Sequence, residues 1–536
     1  MQLSMTDQVK FLQEYSDSIK PNTTFVDIKN FELPEYSKTN KKKPELKSTQ
    51  LINRTENEAV AYTHTGSYLL DLFSSTVRNF DKEKIFYLLD KSWIESPLKT
   101  VQLILHTRDV RNGKGEIKLG QFLLFWLRCK HANTYVNNLH LFMEVGYYKD
   151  LWRIIDMAKI AKLDKLGSKT WIEIEYLNQV LEQDKLNLQN NKNISLAAKW
   201  TPKEGNHYHE YLVELAKLRF PTKSRSQFRK WIMPLRNHLR ITENLMCSNK
   251  WNEVKYESVP AYCMKFNNKS FEKHDKERYT EFLKQVKTGE KKLNVAGLQP
   301  HEIIEQIYRN NSDELLEVQW SSLIKRIKEK TKLNKCLAVS DVSGSMSGTP
   351  LLVSIALGFM LALVQNENDN PFYKTILTFS QNPVLHKIEG NTIYEQVMNI
   401  SRMQWDMNTD FVKVFDLLLS TAQLYQVKQE NMIETIFVFT DMQFDQASNT
   451  EKTPFEEIKE KYKKAGYNMP KIVFWNLRDS SGGFPINNSD ENVALVSGFS
   501  AELMQLFIDG QDFNPMTILN SALSKYPNVV IHRNDL

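Results

Sequence analysis

Cys336-Leu337-Ala338-Val339-Ser340-Asp341-Val342-Ser343-Gly344-Ser345 is an apolar run that stops abruptly in a carboxylate, two hydroxyls and a glycine. Such a run predicts a buried strand that delivers Asp341, Ser343 and Ser345 into a tight loop. An apolar segment of helical character, 350–364, follows at once. Hard oxygen donors of this kind suit Mg2+ or Mn2+, which keep several waters and need few protein ligands.

The same grammar continues outward from this loop. The stretches 337–340, 375–379, 435–440 and 471–476 are short apolar runs rich in β-branched and aromatic residues. Between them, 350–365, 412–427 and 456–465 carry helical patterns. Strands alternating with helices predict an α/β unit over 336–536, with a mainly parallel sheet covered on both faces. Ligands of such sheets sit at the carboxyl ends of the strands, where Asp341 falls. Two further segments point to the same place. Asn408-Thr409-Asp410-Phe411 precedes a helical pattern and offers the Thr409 hydroxyl from a loop above the sheet. Ile436-Phe437-Val438-Phe439-Thr440-Asp441 is a second buried strand ending in an acid. The plainer alternative makes Thr409 a helix N-cap and Asp441 a turn cap.

Asp-x-Ser-x-Ser followed by that threonine and that aspartate resembles the metal-ion-dependent adhesion site of von Willebrand factor A domains. The resemblance covers residues 336–536 and implies a doubly wound, Rossmann-like fold. It also implies that Asp341, Ser343, Ser345, Thr409 and Asp441 hold Mg2+ or Mn2+. Met442 departs from the pattern, since many members carry glycine there; the departure concerns the shape of the third loop and not the ligand. Two carboxylates and three hydroxyls leave such an ion partly watered, so an incoming carboxylate or phosphate oxygen can replace a water. That is binding chemistry. Phosphotransferases with Asp-x-Asp need a second acid where Ser343 stands, so no catalytic residue is assigned, and a metal-dependent hydrolase is the least favoured reading. Asp445 is read as a solvated turn residue.

The remainder of the chain has a different character. Of 536 residues, 41% are hydrophobic and 25% charged, ordinary values for a folded protein. The net charge of +6 is unevenly divided: from Cys336 onward there are 14 Lys and Arg against 23 Asp and Glu, so the front part carries the whole surplus. A basic front joined to an acidic back suits a polyanionic partner, although a solvated lysine-rich surface has the same composition. Met1 to Lys20 mixes charges through its apolar residues, so no secretory leader is expected. The apolar stretch 351–364 is too short to span a bilayer, and no membrane association is expected. Cys129, Cys247, Cys263 and Cys336 are expected to be reduced and buried. A cytoplasmic protein fits these features, or a virion component if the chain is encoded by a large DNA virus.

Residues 1–57, with the basic stretch Ser37-Lys38-Thr39-Asn40-Lys41-Lys42-Lys43-Pro44, are expected to form a flexible arm. From 58 to 335 the apolar spacing is helical, as in Tyr68, Leu69, Leu72 and Phe73, or Leu119, Phe122, Leu123 and Trp126. His106-Thr107-Arg108-Asp109-Val110-Arg111-Asn112-Gly113-Lys114-Gly115-Glu116 resembles the signature of the TROVE module, and Gly146-Tyr147-Tyr148-Lys149-Asp150-Leu151-Trp152 resembles the motif that follows it there. That module is the ring of HEAT-like helical repeats in Ro autoantigen ribonucleoproteins and telomerase-associated proteins, which carry an A domain after it. The chain looks closer still to an uncharacterised two-part family of plants, protists and large DNA viruses, whose members share Asn-Thr-Asp-Phe and a run like Trp251, Val259-Pro260, Phe271 and His274-Asp275.

The TROVE resemblance implies an RNA partner. Lys223, Arg225, Arg229, Lys230, Arg236 and Arg240, interleaved with Phe228 and Trp231, are the candidate contacts, and i, i+4 spacing places Arg225 with Arg229 on one helix face. The alternative for these residues is a solvated face around a buried Trp231. For Arg108, Asp109, Lys114 and Glu116 the favoured reading is structural: internal Arg–Asp pairing and a glycine cap. His207 and His209 are read as surface histidines. The sequence therefore supports a non-enzymatic, RNA-associated scaffold with a Mg2+-dependent ligand-binding domain. The alternative is a module whose metal recruits a protein's acidic side chain, with no nucleic acid role.

Overall fold

The structure, a computed structural model, describes residues 52–166, 168–222, 224–309, 313–331, 333–367, 372–379, 383–403, 410–445, 452–479, 483–507 and 513–536. β1 (Ile52–Arg54) and β2 (Val60–Tyr62) make an antiparallel hairpin. Helices then dominate the chain from Tyr68 to Lys330. The back part holds a six-stranded sheet of β3 (Cys336–Ser340), β4 (Thr375–Thr378), β5 (Leu385–Lys387), β6 (Thr435–Thr440), β7 (Lys471–Asn476) and β8 (Val493–Ser497).

The strand order is β5-β4-β3-β6-β7-β8, and every pair is parallel except β4 with β5. β3 has its successor β4 on one side and β6 on the other, so the winding reverses between β3 and β6. Right-handed crossovers that run outward in both directions put helices on both faces. That burial explains why β3 and β8 are continuous apolar runs rather than alternating ones. Two strands of this sheet lie outside the expected set. β5 is a short, largely exposed edge with no apolar run to announce it. β8 did carry a signal, since Val493 to Val496 is apolar and Gly498 bounds it.

The helix Thr349–Val364 is apolar all round, with 13 of its 16 residues buried, because it is covered on two sides. One side faces the sheet: a Cβ on Gly358 would lie 2.4 Å from the Ser340 hydroxyl and 2.8 Å from Ile376 Cδ1. On the other, Phe359 stacks on Trp320 of the helix Glu314–Lys330, centroids 4.8 Å apart. The apolar segment expected behind the first loop is thus the seam between the helical part and the sheet. Gly358→Ala is expected to cost about 1–3 kcal/mol through overpacking. A lowered urea midpoint at unchanged m-value would register it.

One apolar cluster runs through both parts of the molecule. The hairpin is stitched to the back part as well. The Thr55 hydroxyl donates to Phe444 O at 2.7 Å, and Tyr62 and Phe484 exchange two backbone hydrogen bonds of 2.7 Å. Residues 52–57 therefore belong to the folded body, which corrects the arm expected over 1–57; residues before 52 lie outside the described ones. Thr55 finds its partner 389 residues away, and local pattern carries no trace of that. The four cysteines are free, but Cys247 is exposed and Cys129 half-buried, so burial holds only for Cys263 and Cys336. Among the described residues no helix is long and apolar enough to cross a membrane.

Candidate cation site at the sheet edge

β3 and β6 pair in register with Ser340 beside Phe439. Asp341 and Asp441 therefore leave adjacent strands at the carboxyl edge, where the winding reverses. Asp341 N donates to Phe439 O at 2.9 Å, which holds the first loop against β6. Asp341 Oδ1 accepts from Ser343 N at 2.9 Å, and Oδ2 accepts from the Thr440 hydroxyl at 2.7 Å. The Ser343 and Ser345 hydroxyls are 3.0 Å apart, and Ser345 reaches the Asp441 carboxylate. Asp441 Oδ1 also accepts from Gln443 N at 3.2 Å. Four of the five expected donors thus form one connected group. Thr409 lies outside the described residues. Its neighbour Asp410 caps the helix Phe411–Leu424 by accepting from Lys413 N at 3.1 Å, so the N-cap role is filled.

Both acids are almost wholly removed from water, Asp341 at 0% and Asp441 at 1% exposed. Burial, and next the Asp441 charge, push the Asp341 carboxyl up to about 6. Burial raises Asp441 too, opposed by Ser345 and by the charge of Arg478. Two desolvated carboxylates side by side repel, and a cation between them removes the repulsion. The donors are all hard oxygens, which fits Mg2+ or Mn2+. Among the described residues no three His, Cys, Asp or Glu side chains cluster, so a soft-ligand site is not available there.

Three further residues shape the site. Thr440, the last residue of β6, orients Asp341; a hydroxyl beside a strand-end acid was its only sequence signal. Arg478 follows β7, is exposed, and donates to Ser345 O. Nothing in the local pattern of Arg478 announced it. Met442 has φ +65° and its N–H donates to the Thr440 hydroxyl at 3.1 Å. The third loop therefore takes the left-handed form that glycine adopts freely, at a cost to methionine of about 1–2 kcal/mol. Its side chain is 4% exposed, and burial offsets that cost. Asp445 is half-buried and bridges to Glu58 of the hairpin loop, not a solvated turn.

The glycine-punctuated loop 109–116 is a mechanical joint. It links the helices Pro97–Arg108 and Ile117–Lys130. Arg108 Nε donates to Asp150 Oδ2 at 2.9 Å, and Gln121 donates to Oδ1 at 2.6 Å. Asp109 accepts from Arg111 N and Asn112 N and from the hydroxyl of Tyr526 in the back part. Glu116 receives Arg78 at 3.0 Å. Lys114 is fully buried; its ammonium donates to Phe73 O, to the Thr76 hydroxyl and, at 2.6 Å, to Ser497 at the end of β8. Burial lowers its pKa well below the usual lysine value, with Glu116 opposing. A Cβ at Gly113 would lie 2.1 Å from His106 O, which fixes that glycine. Arg108, Asp109, Lys114 and Glu116 are all committed internally.

The basic segment divides. On the helix Ser224–His238, Arg225, Arg229 and Lys230 are exposed, and Phe228 is buried beneath them. Trp231 is half-buried under Arg219, whose guanidinium sits 4.8 Å from the ring centroid. Arg236 donates to Ala198 O at 3.1 Å and Thr201 O at 3.0 Å. Arg240 pairs with Glu253 at 3.0 Å. Lys223 lies outside the described residues. His207 is exposed beside Asp156, and His209 opens the helix His209–Arg219.

Comparison with known proteins gives a consistent outline. Residues 335–526 match the family model of a domain of unknown function (DUF7788), and residues 55–179 and 213–333 match that of another, DUF2828. The chain is 32% identical over 512 residues to "Uncharacterized protein L728" of Acanthamoeba polyphaga mimivirus, covering 89% of this chain and 88% of that one. The crystal structure of the Deinococcus radiodurans RO (RSR) protein aligns with a TM-score of 0.44 at 13% identity, over 86% of this chain and 99% of that one. At that score the likeness carries no argument.

Proposed function

We propose, for a chain that belongs to the family of the mimivirus protein L728, a binding role without catalysis. Its back part is a von Willebrand A-type domain that captures an anionic ligand through Mg2+ or Mn2+. Its helical part, of HEAT-like TROVE type, associates with RNA. The reading is carried by Asp341 and Asp441, buried at the carboxyl ends of adjacent strands, with the Ser343 and Ser345 hydroxyls joining them. These four residues would hold the ion, with Thr409 as the fifth donor. The ion supplies an exchangeable position for an anionic oxygen. Arg478 adds a cation at the rim, which favours a carboxylate or a phosphate over a neutral ligand. Support for RNA comes from the basic surplus of the front part and from the exposed face of Arg225, Arg229 and Lys230.

Calorimetric titration of the full chain with Mg2+ tests the first part. One site per chain is expected, absent in Asp441→Ala; a chain that takes up no Mg2+ sinks the reading. Filter binding of single-stranded RNA at rising salt tests the second. Log K should fall against log salt with a slope of about −0.7 per phosphate neutralised, and reversing Arg225, Arg229 and Lys230 to Glu should flatten it by about 2. No retention of RNA at low salt removes the RNA part and leaves the cation part standing.

A further inference from the structure

A second site lies wholly within the helical part, in a cavity of about 290 Å3. Lys149, Arg153, Lys199, Lys203 and His207 line it, and among the described residues no acidic side chain does. Two acids lie at its margin. Glu243 lies 3.5 Å from Lys199, and Asp156 lies 3.8 Å from His207 while accepting from the Tyr211 hydroxyl. Asp150 is committed to Arg108 and Gln121. Lys149 and Lys203 make no ion pair among the described residues. Burial, and then the Arg153 charge, hold Lys149 below its usual pKa, with the Asp150 charge opposing.

The cavity is walled by aromatic rings and held rigid. Trp200 is half-buried, its ring centroid 5.0 Å from that of Tyr147, and Tyr208 lies under Arg153 at 5.8 Å. The loop carrying Trp200 and Lys203 is pinned from behind, where Trp152 Nε1 donates to Trp200 O at 3.1 Å. Arg236 donates to Ala198 O and Thr201 O and so clamps the same loop. Arg236, which sequence alone placed among the RNA contacts, therefore acts on this loop. Clustered cations suit a phosphate, and a flat ring beside them suits a base, which stacks on it. The volume admits a single nucleotide and no duplex.

We propose that this cavity binds a 5′-nucleotide, with Lys149, Arg153 and Lys203 on the phosphate and Trp200 against the base. A free nucleotide and the 5′-phosphorylated end of a strand present the same chemistry. The test is a tryptophan-fluorescence titration of the full chain in EDTA, which keeps the result independent of the cation site. The probes are AMP, inorganic phosphate and trinucleotides with a 5′-phosphate or a 5′-hydroxyl. Saturable binding of AMP is expected, at least about tenfold tighter than inorganic phosphate. Lys203→Glu, at an exposed position, and Lys149→Gln should each weaken it about tenfold, with the thermal transition of each variant confirming the fold. Binding of the 5′-phosphorylated trinucleotide and not of its 5′-hydroxyl twin assigns a strand end; AMP binding alone assigns a free nucleotide. No saturation by AMP at millimolar concentrations, AMP no tighter than phosphate, or full affinity in folded Lys203→Glu overturns the proposal.

Discussion

Asp341→Asn is expected to raise the melting temperature of the metal-free chain and to erase the further rise that Mg2+ gives the natural sequence. The reason is the cost of two buried charges. Asp341 has an unfolded-state value near 3.8 and a folded value of about 6. Between those values the folded chain holds a proton that the unfolded chain has lost. The stabilisation from the protonated acid is complete below about 3.8 and is lost as pH rises through about 6. The metal-free fold is therefore weakened at neutral pH by the charge that Asp341 carries there. Asparagine removes the charge and keeps the shape: its oxygen still accepts from Ser343 N, and Thr440 can turn to accept from the amide. Mg2+ at a hundred times its Kd returns about 2.7 kcal/mol to the natural chain and nothing to the variant. That is about 5 °C or more for a domain of this size. Ligand carboxyls must be deprotonated, so the Mg2+ shift should shrink from pH 8 to pH 5. An undiminished shift in Asp341→Asn, or at pH 5, would remove Asp341 from the cation site.

What the sequence made legible follows from how local each signal is. Asp341 and Asp441 stand out because an acid at the end of a buried apolar strand has no packing role to justify it. The parallel sheet was readable for the same reason: its inner strands are apolar on both faces. β5 was not, since an edge strand of Leu385, His386 and Lys387 carries no such run. Nor was the hairpin, whose partners Phe444 and Phe484 are hundreds of residues distant. Arg478 reaches the site only because β7 lies next to β6, a fact of strand order and not of spacing. The basic segment shows the opposite failing. Arg236 and Arg225 look alike in sequence, yet one is clamped on carbonyl oxygens and the other faces water. Charge along a helix is visible in a sequence; which face meets a neighbouring loop is decided by packing.

Asp150→Ala is expected to be among the most damaging single changes in the helical part, at about 3–5 kcal/mol. Asp150 is 2% exposed and accepts from both the Arg108 guanidinium, itself buried, and the Gln121 amide. Its removal leaves a charge stranded out of water, and total stabilities of about 5–15 kcal/mol leave little margin for that. Replacing the whole group by apolar side chains, Arg108→Met with Gln121→Leu and Asp150→Leu, should recover most of the loss, because no unpaired polar group remains. The two variants also separate a joint from a contact surface. If the glycine-punctuated loop serves only to brace the helical part against Tyr526 and Ser497, the triple variant should fold and bind RNA as the natural chain does. A triple variant that melts normally but no longer retains RNA would mean that Arg108 touches the strand, and the buried pairing would then describe a resting arrangement that RNA must open. The burial of Asp150 and the closeness of Gly146, where a Cβ would lie 2.6 Å from Asp150 Oδ2, argue for the brace. A group so tightly enclosed on its glycine side has no room to part for a ligand without breaking the turn that positions it.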